Sequence, residues 1–90
     1  MSRIRANIAA LERAAAQFAR AGQELGQIAG EQQSRIASID WAGRAEQKFM
    51  LSWNESRESV KRLTALTAQM AAQCQSLAEA LRRADEEQRK

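Results

Sequence analysis

Ninety residues set the size of one small domain, and a net charge of +3 scattered among acids and bases is too slight for a nucleic-acid footprint. With no histidine, no tyrosine and one cysteine, the chain lacks the commonest general base and metal ligand and cannot close an intrachain disulfide. Proline is absent while alanine, glutamine, arginine, glutamate and leucine dominate, which is a helix composition.

A chain this short buries little core by itself, so self-association or a partner is expected to add stability. No apolar run approaches the roughly 20 residues that cross a bilayer, and no stable membrane insertion is expected. The opening stretch "MSRIRANIAALERAAAQFAR" puts Glu12, Arg13 and Gln17 where a Sec signal peptide needs hydrophobes.

In the first half, the face-forming positions are Ile4, Ile8, Leu11, Ala15, Phe18, Gly22, Leu25, Ala29, Gln32, Ile36 and Ile39. The steps alternate between four and three, which is the seam of a helix that packs lengthwise on another. Ala14, Ala21 and Ile28 flank this seam on one side; Ala19 and Gly26 flank it on the other. Gly22, Gly26 and Gly30 recur every fourth residue in "GQELGQIAG". Each costs about 0.8–1 kcal/mol relative to alanine inside a helix. They are either tolerated weak spots or a smooth face for close approach of another helix.

The second half gives a similar alternation at Phe49, Trp53, Ser56, Val60, Leu63, Thr67, Met70, Cys74, Leu77, Leu81 and Ala84. Met50, Leu66, Ala71, Ala78 and Ala80 widen it. Seams this broad suit helices with more than one neighbour, as in a bundle of two paired hairpins. Leu11, Phe18, Leu25, Phe49, Trp53, Val60, Leu63, Met70 and Leu77 are the expected packing residues of hairpin and dimer. Cys74 reads as a small buried hydrophobe. Arg82 and Arg83 complement the dipole at the end of the second helix.

The two patterns do not run through each other. The alternation breaks between Ile39 and Phe49, where Asp40, Trp41, Ala42 and Gly43 stand. A short connection between long helices makes them antiparallel. Asp40 is a candidate N-cap for the second helix, Gly43 can take turn angles closed to other residues, and Trp41 can cover the end of the core. The expected architecture is one all-α domain, residues 1–90, an antiparallel two-helix hairpin pairing into a four-helix bundle dimer. Its first helix runs over about 3–38, its turn over 39–43 and its second helix over about 44–86.

The midpoint "WAGRAEQKFMLSW" carries a Trp-x-Gly triplet, Trp41 to Gly43, followed by Phe49 and Trp53. With the triplet at the break between two long amphipathic helices, the chain resembles the WXG family of small helical hairpins. These are the early-secreted-antigen (Esx-like) proteins exported by the type VII secretion system. The resemblance implies a bacterial protein made in the cytoplasm, exported without a Sec signal peptide and paired as a homodimer or heterodimer with another WXG-type chain. It also implies contact with the type VII secretion ATPase. Many members end in an export signal of tyrosine, three residues and an acid; here Leu81 stands in the tyrosine slot and Asp85 in the acid slot. The spacing is kept and the aromatic ring is not.

No enzyme is expected: there is no histidine, no paired buried carboxylates and no glycine loop after a strand. No cofactor, metal or nucleic acid is expected either. The leading reading is a non-catalytic type VII substrate or co-secreted partner. The alternatives are an intracellular adaptor that pairs with the helical leader of a larger exported effector, and a basic hairpin that binds nucleic acid or anionic membrane.

Overall fold

The computed structural model describes residues 3–40 and 43–89. Trp41, on which the motif turns, lies outside the described residues. The rest forms two helices, α1 (Arg3–Ala37) and α2 (Arg44–Arg89), packed side by side as an antiparallel hairpin. Ion pairs from Arg5 to Asp85 and from Glu12 to Arg82 join the start of α1 to the end of α2. A hydrogen bond from Arg57 to Gln33 ties the helices near the turn. The all-α hairpin is therefore the fold. It is a rod of 71 × 16 × 13 Å with a radius of gyration of 20.4 Å; a compact domain of this length would have about 12 Å.

The turn follows from local chemistry. At the end of α1 the Ser38 amide donates to the Arg35 carbonyl and the Ile39 amide to the Ile36 carbonyl, both at 3.2 Å. The Ser38 hydroxyl donates to the same Arg35 carbonyl at 2.7 Å. These three-residue steps tighten the last turn and satisfy carbonyls that the helix leaves open. Gly43 then takes φ +58°, a left-handed conformation, and α2 begins at the next residue. Asp40, expected to cap α2, stands too far back: Gly43 occupies the position before Arg44. Glu46 in the first turn complements the dipole instead.

Every α1 seam residue from Ile4 to Ile36 is at least partly buried, whereas Ile39 lies beyond the helix and is exposed. On α2 the observed seam differs from the expected one. It runs Met50, Trp53, Arg57, Val60, Thr64, Thr67, Ala71, Cys74, Ala78, Leu81 and Asp85, all partly or fully buried. Trp53, Val60, Thr67, Cys74 and Leu81 belong to both patterns, but the alternate positions move by one residue. Phe49, Ser56, Leu63 and Leu77 are exposed in the hairpin, while Met70 and Ala84 are half-buried at its margin.

The cause is close approach. The buried apolar residues are Ile8, Ala15, Ala71 and Ala78, and Gly22 is buried among them. Small residues on both helices let the backbones come near, which leaves no room at the centre for leucine. A Cβ added at Gly22 would lie 2.6 Å from Thr67 Oγ1, whereas Gly26 and Gly30 face open space. The smooth-face reading therefore holds for Gly22 alone. Thr67 and Thr64 satisfy their hydroxyls within α2, donating to the carbonyls of Thr64 at 2.7 Å and Val60 at 2.9 Å.

These contacts predict opposite signs for chemically identical substitutions. Gly26→Ala and Gly30→Ala should each stabilise the helix by up to about 1 kcal/mol. Gly22→Ala should destabilise by about 1–3 kcal/mol through overpacking and should become stabilising in a Thr67→Ala background, where the obstructing hydroxyl is gone. Urea unfolding followed by circular dichroism checks the set; a stabilising Gly22→Ala in the native background would refute the close approach. Gly43→Ala should cost about 1–2 kcal/mol, because a Cβ disfavours the left-handed turn.

Candidate functional site

An antiparallel pair of seams has two sides, and here they differ in chemistry. One side carries Arg5, Glu12, Ala19, Gly26 and Gln33 from α1, and Lys61, Ala68, Gln75 and Arg82 from α2. Glu12 and Arg82 are ion-paired across it. Arg5 Nε lies 3.7 Å from the Asp85 carboxylate, whose side chain is 19% exposed. Between the charges, a shallow groove is lined by Ala19, Gly22, Thr64, Ala68, Ala72 and Gln75, among others.

The other side is largely apolar. Its α1 flank is Asn7, Ala14, Ala21, Ile28 and Arg35; its α2 flank is Phe49, Ser56, Leu63, Met70, Leu77 and Ala84. Leu66, one turn from Leu63 and Met70, extends the same surface. Ile28, Leu63, Leu66 and Leu77 are 56%, 49%, 50% and 57% exposed. Leucines and isoleucines left half in water in adjacent rows are a contiguous patch, unlike the scattered single hydrophobes of an ordinary surface.

Gly43 forms the turn, Leu81 is half-buried on the seam, and Asp85 is turned toward α1 by Arg5. The two residues in the export-signal slots thus sit against the other helix. Leu11, Phe18, Leu25, Trp53, Val60 and Met70 are half-buried, while Phe49, Leu63 and Leu77 lie on the open side. Trp53 borders the turn end of the seam with Ile36, Ile39 and Met50. α2 continues as helix through Gln88 and Arg89, past the expected end near residue 86; Lys90 lies outside the described residues.

Sequence reasoning missed the ion pairs and Arg57. The Glu12–Arg82 pair was legible in principle, since matching flanks of an antiparallel seam face each other and here carry opposite charges. Arg57 was hidden because a guanidinium is not expected on a seam. Its Nη1 donates to Gln33 Oε1 at 3.2 Å, and its Nε is buried with no hydrogen-bond partner.

Among the described residues there is no group of three histidine, cysteine or acidic residues that could hold a metal ion, and no helix is long and apolar enough to cross a membrane. What these elements define is a two-helix all-α protein that presents a surface rather than an enclosed pocket. The family model of WXG100, proteins of 100 residues with WXG, matches residues 3–86. The chain belongs to this family. Members are associated with type VII secretion as substrates, generally pair with one another, and are not known as enzymes. No curated protein and no solved structure matches the chain.

The ion pairs are exposed enough for water and salt to weaken them, and pairs of this kind contribute about 0.2–1 kcal/mol. Glu12→Gln and Asp85→Asn should each lower the unfolding free energy by no more than about 1 kcal/mol, and the difference should vanish near about 1 M salt, where screening is nearly complete. Chemical denaturation at low and high salt tests this; a loss that survives high salt would mean that packing, rather than charge, holds these residues.

Proposed function

We propose that the chain is a non-catalytic substrate of a type VII secretion system, made in the bacterial cytoplasm, exported without a Sec signal, and active through pairing with another WXG-type hairpin in a four-helix bundle. One observation carries the pairing: the hairpin does not cover its own apolar surface. Its accessible area is 7153 Å² for 10.0 kDa, where a folded monomer of that mass exposes about 5,200 Å². Burying a leucine or isoleucine fully is worth about 1.5–3 kcal/mol. The open side therefore holds several kcal/mol that only another chain can supply, minus the cost of association.

In this reading Leu81 and Asp85 are the candidate contacts for the secretion ATPase. Arg5 holds Asp85 against α1 in the resting hairpin, so engagement exchanges that weak ion pair for a contact with the ATPase. Trp41 and Gly43 mark the turn end, where the family motif falls.

A secretion assay tests the proposal. The chain should appear in the culture medium of cells with an intact system and be retained when the ATPase is deleted. Asp85→Ala should reduce export by at least about tenfold, whereas Arg5→Ala, which breaks the same ion pair from the other side, should not. Since either loss costs no more than about 1 kcal/mol of stability, circular dichroism should report both variants as folded. Equal export with and without the ATPase would overturn the proposal. Retention of the chain in complex with a larger effector would favour the intracellular adaptor.

A further inference from the structure

We propose that the half of the hairpin nearer the turn is a separate, looser unit, which opens and closes while the open end stays packed. This goes beyond the functional reading above and depends on neither export nor pairing.

Burial comes first. Among the described residues, every buried one (Ile8, Ala15, Gly22, Ala71 and Ala78) lies between the open end and the middle of the rod. No described residue from Gln23 to Met70 is buried. The close packing of small residues therefore stops at the level of Gly22 and Thr67. Beyond it the seam is built from Leu25, Gln32 and Ile36 on α1 and from Trp53, Arg57 and Val60 on α2, all only half-buried. Bulky and polar side chains there exclude less water, and local stability falls with the number of buried apolar contacts.

The seam chemistry of the turn half also favours opening. Arg57 sets a guanidinium on the seam. Its Nη1 donates to Gln33 at 3.2 Å, while its Nε is buried with no hydrogen-bond partner. An unmet buried donor penalises the closed form, and opening lets water satisfy it. Gly26 and Gly30 lie in the same half, and a Cβ at either would meet nothing within 4 Å. They weaken α1 as a helix without gaining close approach. The open end has the opposite character: Ile8 is buried, and Arg5–Asp85 and Glu12–Arg82 bridge the helices.

Connectivity favours the reverse order. The turn keeps the neighbouring helix ends close, so contacts near it cost less loop entropy to form, and a hairpin of uniform packing frays from its free termini. Here the burial gradient runs against the tether. Opening of the turn half frees Ile36, Met50, Trp53 and Arg57 to water, while the contact of Gly22 with Thr67 holds the remainder. A partner that prefers these residues free draws on a state the hairpin already visits.

Native-state hydrogen exchange on the full chain, resolved by residue, tests the proposal. Amides of residues 26–36 and 48–63 should exchange at least about tenfold faster than those of 8–22 and 67–82. Low urea should speed the slower set and barely change the faster one, because local opening exposes little new surface. Arg57→Met keeps the apolar stem and removes the unmet donor; it should slow exchange in the turn half by at least about threefold and leave the other half unchanged. Lys61→Met, at an exposed site, should change neither. Equal rates in the two halves, or faster exchange toward the termini, would overturn the proposal. An Arg57→Met effect spread evenly over both halves would also overturn it, since that marks a single cooperative unit. High and low protein concentrations are compared: a contrast that persists belongs to the hairpin itself, and one that vanishes on dilution comes from an intermolecular contact and sinks the idea.

Discussion

The structure depends on the close approach of two helices through small residues. Gly22 against Thr67, with Ala15, Ala71 and Ala78 buried nearby, brings the backbones together along the middle of the rod. That contact fixes what else can fit. Leu63 and Leu77 are too large for the centre and are displaced to the flank, where two helices alone cannot bury them. The thin cross-section and the uncovered apolar side have one cause.

The same constraint explains what the sequence could and could not reveal. On α1 the choice of seam was unambiguous, because Ile8, Leu11, Phe18 and Leu25 alternate with alanine and glycine along one line. On α2 two lines overlap. They share Trp53, Val60, Thr67, Cys74 and Leu81 and differ by one residue in between, so that Met70 and Leu77 compete with Ala71 and Ala78. Hydrophobicity favours the larger pair, whereas the helix across the seam favours the smaller, and α2 alone carries no information about that helix. The flank residues Ala14, Ala21, Ile28 and Leu66 were legible as a widening of the seams, and they are the residues that border the open side. The position of Arg57 was not legible, since periodicity assigns no apolar value to a guanidinium whose stem can lie along the seam.

The two sides of the hairpin also divide the work of stability and recognition. Ion pairs at the open end add little free energy in water, but they give the side that carries them a charge pattern already matched within the chain. The apolar side has the reverse character: it contributes little orientation by charge but much area. Partner binding on that side leaves Arg5, Asp85 and Arg82 at the periphery, where another protein can still reach them. On the proposed reading, this separation would let pairing and an export contact use different parts of one short rod.

On the proposed reading, a hairpin of this shape couples folding to association. Its buried apolar core is one isoleucine and three alanines among the described residues, which is slight against a conformational cost of about 1–2 kcal/mol for each ordered backbone residue. A partner that binds only the folded hairpin shifts the folding equilibrium by mass action, so on the proposed reading the paired state is also the stable one. Exchanging Leu63 and Leu77 for small residues would make a hairpin with less unsatisfied surface and a weaker claim on any partner. Placing alanine at the centre and leucine at the flank does the opposite: the hairpin stays narrow, and on the proposed reading the hydrophobic free energy of Leu63 and Leu77 is left for pairing.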